Sequence, residues 1–307
     1  MKVAVMGAGG MGGYVGGRLS QAGEEAHFIA RGAHLSAIRD AGLRIESPYG
    51  NAHLTSVAAT DDPSTVGPVD VVIFTVKLFD TEAAAKRLAP LIGERTRLVT
   101  LQNGIDSRAL IARHVPSERI AAGCIYVSAS ISAPGVISSP GGAQHMVVDG
   151  LGGDPGIAAL VAACSRAPGL EASATDAIAP SIWEKFVVLA AFSGATCLTR
   201  RPIGAVLEHR ETRDFLKQLL EENAAVARAS GQALAPGTPE RILGFFATLP
   251  LGTKSSMLLD LEAGRPLELP WLAGRIVELG RRHAVPVQAN AAVVAALTPH
   301  VRAGAQP

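Results

Sequence analysis

Cysteine is scarce in this sequence: Cys124, Cys164 and Cys197 stand far apart and form no CxxC or Cys/His ligand spacing. A disulfide framework and a structural zinc site are not expected on that ground, and the three thiols read as small apolar core residues. Excess charge is missing too, because 28 basic side chains face 27 acidic ones for a net charge of +1, which gives no electrostatic case for a nucleic-acid partner. Long apolar runs are absent, each being interrupted by a polar residue or glycine before spanning length, and with a first strand expected from Lys2 no signal peptide is expected. A cytoplasmic protein without a membrane partner is therefore expected. The eight histidines are scattered singly and suggest no metal site. There is no internal repeat, and the only biased segment is the Gly/Ala-rich tail Ala303–Pro307. What remains is a 307-residue chain with 48% hydrophobic residues, enough for two domains or one large one with a real core.

The opening thirteen residues hold the strongest signal. A Val-rich run from Lys2 breaks into Gly7-Ala8-Gly9-Gly10-Met11-Gly12, a GxGxxG turn, and a helix is expected from Met11 to Ala22, closed by Gly23 before a second apolar run, Ala26–Ala30. In a dinucleotide site the first glycine makes the turn, the second lets a pyrophosphate approach bare backbone, and the third lets helix and strand pack closely. The phosphates then meet the unpaired N–H groups and positive dipole end of the helix. In a chain with 33 glycines the same pattern also fits an ordinary flexible turn, and the strand and helix on either side favour the dinucleotide. Where the second strand ends, the carboxylate that would bind a ribose 2′-hydroxyl is missing, and Arg31 and Gly32 stand there instead. A guanidinium suits a 2′-phosphate, so NADPH is the expected cofactor. The competing reading makes Arg31 a solvated charge and gives the ribose to Glu24 or Glu25, which precede the strand and would lie at its wrong end.

Further along, Ala33–Ala41 reads as a helix, and Leu43–Glu46 with His53–Val57 as a hairpin. Strands are expected at Asp70–Lys77, Arg97–Leu101, Ile120–Val127, Gly135–Ser138 and His145–Val148, with helices at Thr81–Leu88 and Ile157–Arg166. This alternation implies a mostly parallel, doubly wound sheet of Rossmann type over residues 1–175. From 176 to 307 strand signals stop, and helices are expected near 177–198, 208–230, 238–247, 254–263, 269–284 and 286–299, an all-helical second domain. The site of such a fold is expected at the carboxyl ends of the strands, where Lys77 and Asn103 stand, and in the helical domain facing them.

Within the helix 177–198, Lys185 is the only charge between Glu184 and Arg200. Apolar surroundings would lower its pKa and make it a better proton donor, while the plainer reading is a snorkelling lysine neutralised by Glu184. Ser255 or Ser256, at a helix start, is placed to hold a carboxylate, and Glu268 begins the next helix after Pro266; both patterns also occur as plain capping.

Together these residues resemble the ketopantoate reductase (2-dehydropantoate 2-reductase) family over nearly the whole chain. The resemblance is carried by the GxGxxG turn with Arg31, Thr75-Val76-Lys77, Gln102-Asn103-Gly104, Trp183-Glu184-Lys185, and Ser255-Ser256-Met257-Leu258-x-Asp260 followed by Glu268. It implies that NADPH reduces a small-molecule 2-oxo acid to a 2-hydroxy acid, with Lys185 as general acid. Ser256 would hold the substrate carboxylate, Glu268 would contact cofactor or substrate, Asn103 would touch nicotinamide ribose and substrate, and Lys77 would support the cofactor. A homodimer is likewise implied by the family. The chain departs from the family where asparagines are expected along and beyond the lysine helix, since Leu189, Ser193 and Ile203 occupy those positions. Leu189 and Ser193, at i+4 and i+8 from Lys185, are expected on its helix face beside the substrate. Lost hydrogen bonds would weaken discrimination for a hydroxylated substrate, so a less polar 2-oxo acid is an alternative. A 3-hydroxyisobutyrate-type dehydrogenase shares the glycine turn and helix lysine but not the Gln-Asn-Gly or Ser-Ser-Met motifs. A non-catalytic NADPH sensor would fit the lost asparagines but not the retained Lys185 and Glu268.

Overall fold

A computed structural model describes residues 1–301, so the tail Ala303–Pro307 lies outside the described residues. The chain divides into two compact units, one formed by Met1–Gln102 and Ser107–Ile178, the other by Asn103–Asp106 together with the chain from Ala179 onward.

The first unit runs β1 (Lys2–Met6), α1 (Gly10–Gln21), β2 (Glu25–Ile29), α2 (Gly32–Ala41), β3 (Leu43–Glu46), β4 (Ala52–Leu54), β5 (Ala58–Thr60), β6 (Val69–Phe74), α3 (Thr81–Ala85) and β7 (Ile92–Thr100). It continues with α4 (Ser107–Ile111), β8 (Ile120–Tyr126), β9 (Ser130–Ala133), β10 (Val136–Ser138), β11 (His145–Asp149), α5 (Pro155–Arg166) and β12 (Glu171–Thr175). Eight strands form one sheet in the order β12-β11-β8-β7-β6-β1-β2-β5. All neighbours are parallel except β11, which runs antiparallel to β8. From β1 the chain builds outward through β2 to β5, then returns to the other side of β1 with β6, so the direction of winding reverses between β1 and β6. In such sheets ligands bind beyond the carboxyl ends of the strands at that reversal.

Both faces of the sheet are covered, which is why its strands read as continuous apolar runs. Val3 and Val5 of β1 and Val71 and Ile73 of β6 pack with Tyr14, Val15 and Leu19 of α1 and Leu160 of α5. The alternate residues Ala4, Met6, Val72 and Phe74 pack with Ala84, Ala85, Ile111 and Val115 on the opposite face. A second, four-stranded sheet, β4-β3-β10-β9, includes the expected hairpin, but its second arm stops at Leu54. The chain bends at Thr55-Ser56, and Ala58–Thr60 joins the edge of the main sheet beside β2. β9 and β12, which the apolar pattern did not signal, are edge strands rich in serine and alanine. An edge with one covered face at most leaves little hydrophobic alternation in the sequence.

The second unit holds α6 (Ala179–Thr199), α7 (Ile203–Glu208), α8 (Arg210–Ala229), α9 (Thr238–Thr248), α10 (Ser256–Glu262), α11 (Ala273–Arg282) and α12 (Gln288–Leu297). Its core gathers Phe186, Val187, Ala190 and Ala195 of α6 with Leu216, Leu219, Leu220, Ile276 and Val293. Among the described residues α6 is the one helix long and apolar enough to cross a membrane, and it spends that apolar surface on this core. The helix expected over 269–284 is interrupted: Leu269–Trp271 makes a single 3-10 turn, Leu272 leaves helical geometry, and α11 begins at Ala273.

Candidate functional site

In the first unit the glycine turn leaves β1 at the winding reversal. Gly7 has φ +97°, and a Cβ there would meet the Val76 backbone nitrogen at 2.8 Å. Gly12 lies against the turn itself: a Cβ would sit 2.3 Å from the Gly7 carbonyl oxygen and 2.4 Å from Thr75 Oγ1, which donates to that carbonyl at 2.9 Å. Gly10 opens α1 beneath the Ala129 carbonyl, with 2.3 Å available to a Cβ, and Ala8 is buried with its N–H on the Ile29 carbonyl. Gly9 differs from these, because a Cβ there meets nothing within 4 Å. It caps α1 without a side-chain hydrogen bond, and the first turn, which includes Met11, carries no acidic residue. The first N–H groups of a helix lack intrahelical acceptors, so this end offers bare donors and positive potential beside open space. The residues fit a dinucleotide phosphate.

Arg31 follows β2, caps α2 and is 71% exposed, with its Nη2 2.7 Å from Asp80 Oδ2. The competing ribose ligands are engaged elsewhere. Glu24 pairs with the N-terminal amine and with Arg166, and Glu25 is the first residue of β2, at the end remote from Arg31. Lys77 lies three residues past β6 and caps the 3-10 turn Leu78–Asp80. Its segment is held by a residue that the sequence showed only as part of a motif: Gln102 is buried, and its Nε2 donates to the Val76 carbonyl at 2.8 Å and to Thr81 Oγ1 at 2.7 Å.

In the second unit Lys185 lies on the half-buried face of α6. The neighbouring Glu184 carboxylate pairs with Arg241 at 2.9 Å. Leu189 is half-buried one turn along, and Ser193, a further turn on, is 2% exposed. Ile203 is fully buried among the helical core residues, with its N–H donating to the Thr253 carbonyl at 2.9 Å. The two serines divide their roles: Ser255 is buried, accepts from the Leu258 N–H at 3.0 Å as the α10 cap and shares a 2.8 Å hydrogen bond with Thr196, whereas Ser256 is exposed. Glu268 is 6% exposed and opens the 3-10 turn, not the α-helix expected of it. Asn103 belongs to this unit, so Asn103, Lys185, Leu189, Ser193, Ser256 and Glu268 share one compact body, whereas Gly7–Gly12, Arg31 and Lys77 belong to the other.

Beneath α6 lies a polar network invisible in the sequence pattern. Asn223 Nδ2 donates to the Val187 carbonyl at 3.1 Å, and Asn290 Nδ2 donates to Asn223 Oδ1 at 3.0 Å. The buried Glu222 carboxylate accepts from the Ala289 and Asn290 N–H groups at 2.8 and 3.0 Å and from Asn290 Nδ2 at 2.8 Å. The cysteines are buried as expected, and burial pushes the Cys164 and Cys197 thiols up to about 12.

Two family models match the chain: ketopantoate reductase PanE/ApbA over residues 3–150 and its C-terminal domain over residues 177–300. A 2-dehydropantoate 2-reductase of Halobacterium salinarum is 33% identical, covering 94% of this chain and 95% of its own. A crystal structure of a PanE/ApbA family ketopantoate reductase from Ralstonia eutropha superposes with a TM-score of 0.89 at 32% identity, covering 98% of both chains. The same fold recurs, with a TM-score of 0.88 at 23% identity over 98% of both chains, in a D-mandelate dehydrogenase solved with NADH and anilino(oxo)acetate.

Proposed function

Because the chain belongs to the ketopantoate reductase family, we propose that it uses NADPH to reduce a 2-oxo acid to the 2-hydroxy acid, with ketopantoate as the family substrate. The observation that carries this reading is the gathering of Asn103, Lys185, Ser256 and Glu268 into one helical body, together with a glycine turn in the other body that leaves open space only at Gly9 among its helix-start glycines.

Bound NADPH supplies a hydride to C2 of the substrate. Lys185 stabilises the negative charge developing on the C2 oxygen and passes it a proton, after which solvent restores the ammonium. The exposed Ser256 hydroxyl holds the substrate carboxylate, while its buried neighbour Ser255 keeps α10 in place. Asn103 orients nicotinamide ribose and substrate, Glu268 contacts them from the 3-10 turn, and Lys77 supports the cofactor. Arg31 takes the 2′-phosphate, for which its fork of donors is suited, in exchange for part of its contact with Asp80. This reading also carries a homodimer and a cytoplasmic location, which light scattering after size exclusion and cell fractionation check.

Leu189 favours a second substrate reading. It offers apolar surface beside Lys185 where a hydroxylated substrate would need a hydrogen-bond partner, so a 2-oxo acid with an apolar side chain competes with ketopantoate. The test is NADPH consumption over a panel of ketopantoate and apolar 2-oxo acids, with Lys185→Ala alongside. The variant is expected to lose roughly 10²- to 10⁴-fold in kcat and to bind NADPH as the unaltered protein does. An unchanged kcat in a folded variant would remove Lys185 from the chemistry, and no turnover on any member of the panel would refute the reductase reading.

A further inference from the structure

We infer that the Asp106–Arg275 ion pair is a positioning device that binds the Asn103 loop into the helical unit and so sets where the Asn103 carboxamide is presented. This rests on the reading of Asn103 as a contact to nicotinamide ribose and substrate.

The chain around Asn103 is unusual in its allegiance. Gln102 and Ser107 belong to the sheet unit, but the four residues between them, Asn103-Gly104-Ile105-Asp106, group with the helices. Gly104, at φ +79°, adopts a left-handed backbone, so the segment is a turn without regular hydrogen bonding of its own and needs outside anchors. Two are present on its helical side. Ile105 packs against the helical core, and Asp106, the only charge in the segment, places Oδ1 2.9 Å from Arg275 Nη2 on α11. Both side chains are largely buried, at 15% and 17% exposed. Arg275 is held from behind, its Nη1 bonding Glu278, whose other oxygen takes Arg282.

The pair is poorly insured. Asp106 Oδ2 and Arg275 Nε lack hydrogen-bond partners among the described residues, so no second hydrogen bond on those atoms backs the contact. Burial raises the Asp106 carboxyl above its usual range against the pull of Arg275, with Glu278 adding to the rise and Arg282 opposing it. A buried charge that loses its partner is costly, which makes the paired geometry strongly preferred. On the other flank, Gln102 is fixed through Val76 and Thr81. Asn103 therefore sits between an anchor at i−1 and an anchor at i+3.

The experiment compares Arg275→Ala, Arg275→Lys and Asp106→Glu with the unaltered protein, each also on an Asn103→Ala background. Arg275→Ala is expected to lower kcat/KM for the 2-oxo acid on the order of 10- to 100-fold, as a displaced contact near reacting atoms does, and the two conservative variants should recover part of the loss. On the Asn103→Ala background the same substitution should add little, because the effect passes through that side chain. An equal loss on both backgrounds would overturn the proposal, as it would show an effect that bypasses Asn103. Amide hydrogen exchange of residues 104–106 gives a reading independent of turnover. Protection should fall in Arg275→Ala while the α6 amides keep theirs, and unchanged protection would refute the tether. Should no 2-oxo acid be reduced by the unaltered protein, the functional reading fails and the exchange result still decides whether the tether exists.

Discussion

Replacing Gly9 with alanine separates binding from folding more cleanly than any other change in the glycine turn. At Gly9 the backbone is extended, φ −76° and ψ −159°, which alanine adopts without strain, and the added methyl meets nothing within 4 Å. Alanine is a poorer helix cap than glycine by several tenths of a kcal/mol, but it reduces the freedom of the unfolded chain by about 0.4–1 kcal/mol, so stability should change by less than about 1 kcal/mol. The open space beside this backbone is where the proposed pyrophosphate lies, and a methyl forced into a filled contact costs about 1–3 kcal/mol. At about 1.4 kcal/mol per tenfold, NADPH binding should weaken by roughly 5- to 150-fold. Gly12→Ala is the control with the opposite outcome. Its methyl would press on the Gly7 carbonyl and break the Thr75 hydrogen bond, neither of which can yield cheaply. Overpacking plus a lost hydrogen bond, offset in part by better helix propensity, predicts a stability loss of roughly 1–3 kcal/mol. Thermal melting and titration of NADPH fluorescence measure both quantities. If folded Gly9→Ala bound NADPH within twofold of the unaltered protein, no ligand approaches Gly9 and the turn is merely structural.

Arg31→Ala should raise the KM for NADPH roughly ten- to a hundredfold and leave that for NADH nearly unchanged, because the lost contacts are charge-assisted; steady-state kinetics with both cofactors would expose equal effects, which would refute the 2′-phosphate role. Leu189→Asn should raise kcat/KM for ketopantoate relative to an apolar 2-oxo acid, each hydrogen bond gained contributing ~1 kcal/mol, and an unshifted ratio would place Leu189 away from the substrate. Asp154 caps α5 through the Gly156 and Ile157 N–H groups and pairs with Arg97 at 2.6 Å, so Asp154→Ala should cost about 2 kcal/mol and several degrees of Tm. Burial raises the Asp154 carboxyl, but the Arg97 contact and the cap amides outweigh it and hold it below 3.8. The gap in Tm between the two proteins is thus complete near neutrality and closes as pH falls through that depressed value, whereas a gap independent of pH would show that the charge contributes nothing.

The sequence was most legible where local chemistry and long-range packing agree. The Val-rich β1 run, the glycines that follow and Arg31 after β2 lie within the first 31 residues, and their spacing alone prescribes a strand, a turn, a helix and a second strand. Lys185 was visible because one charge in an apolar helix is anomalous wherever it ends up. Ile203 was ambiguous, because an apolar residue after Pro202 looks the same whether it faces a ligand or packs, as it does here, with the helical core. The hydrogen bonds of Gln102, the Asp106–Arg275 pair and the Glu222–Asn290 contact left no trace, since their partners are chosen by the fold across long stretches of chain, 68 residues in the last case. The edge strands β9 and β12 were lost for a different reason, their burial being too one-sided to write a period into the residues.

The Glu222–Asn223–Asn290 network bears on how such an enzyme can diversify. It ties α6, α8 and α12 together through a carboxylate, two carboxamides and backbone groups, none of which lies at the Leu189 or Ser193 positions. A hydrophobic seam tolerates sliding, because one apolar contact substitutes for another, but a buried carboxylate matched to two specific amides does not. The network reaches the lysine helix at the Val187 carbonyl, two residues before Leu189 and six before Ser193, so this tie passes through neither side chain. Leu189 can be exchanged for a polar or a smaller residue without the helix having to find a new seat, so a lineage can try new substrates while Lys185, the proposed proton donor, stays where it was.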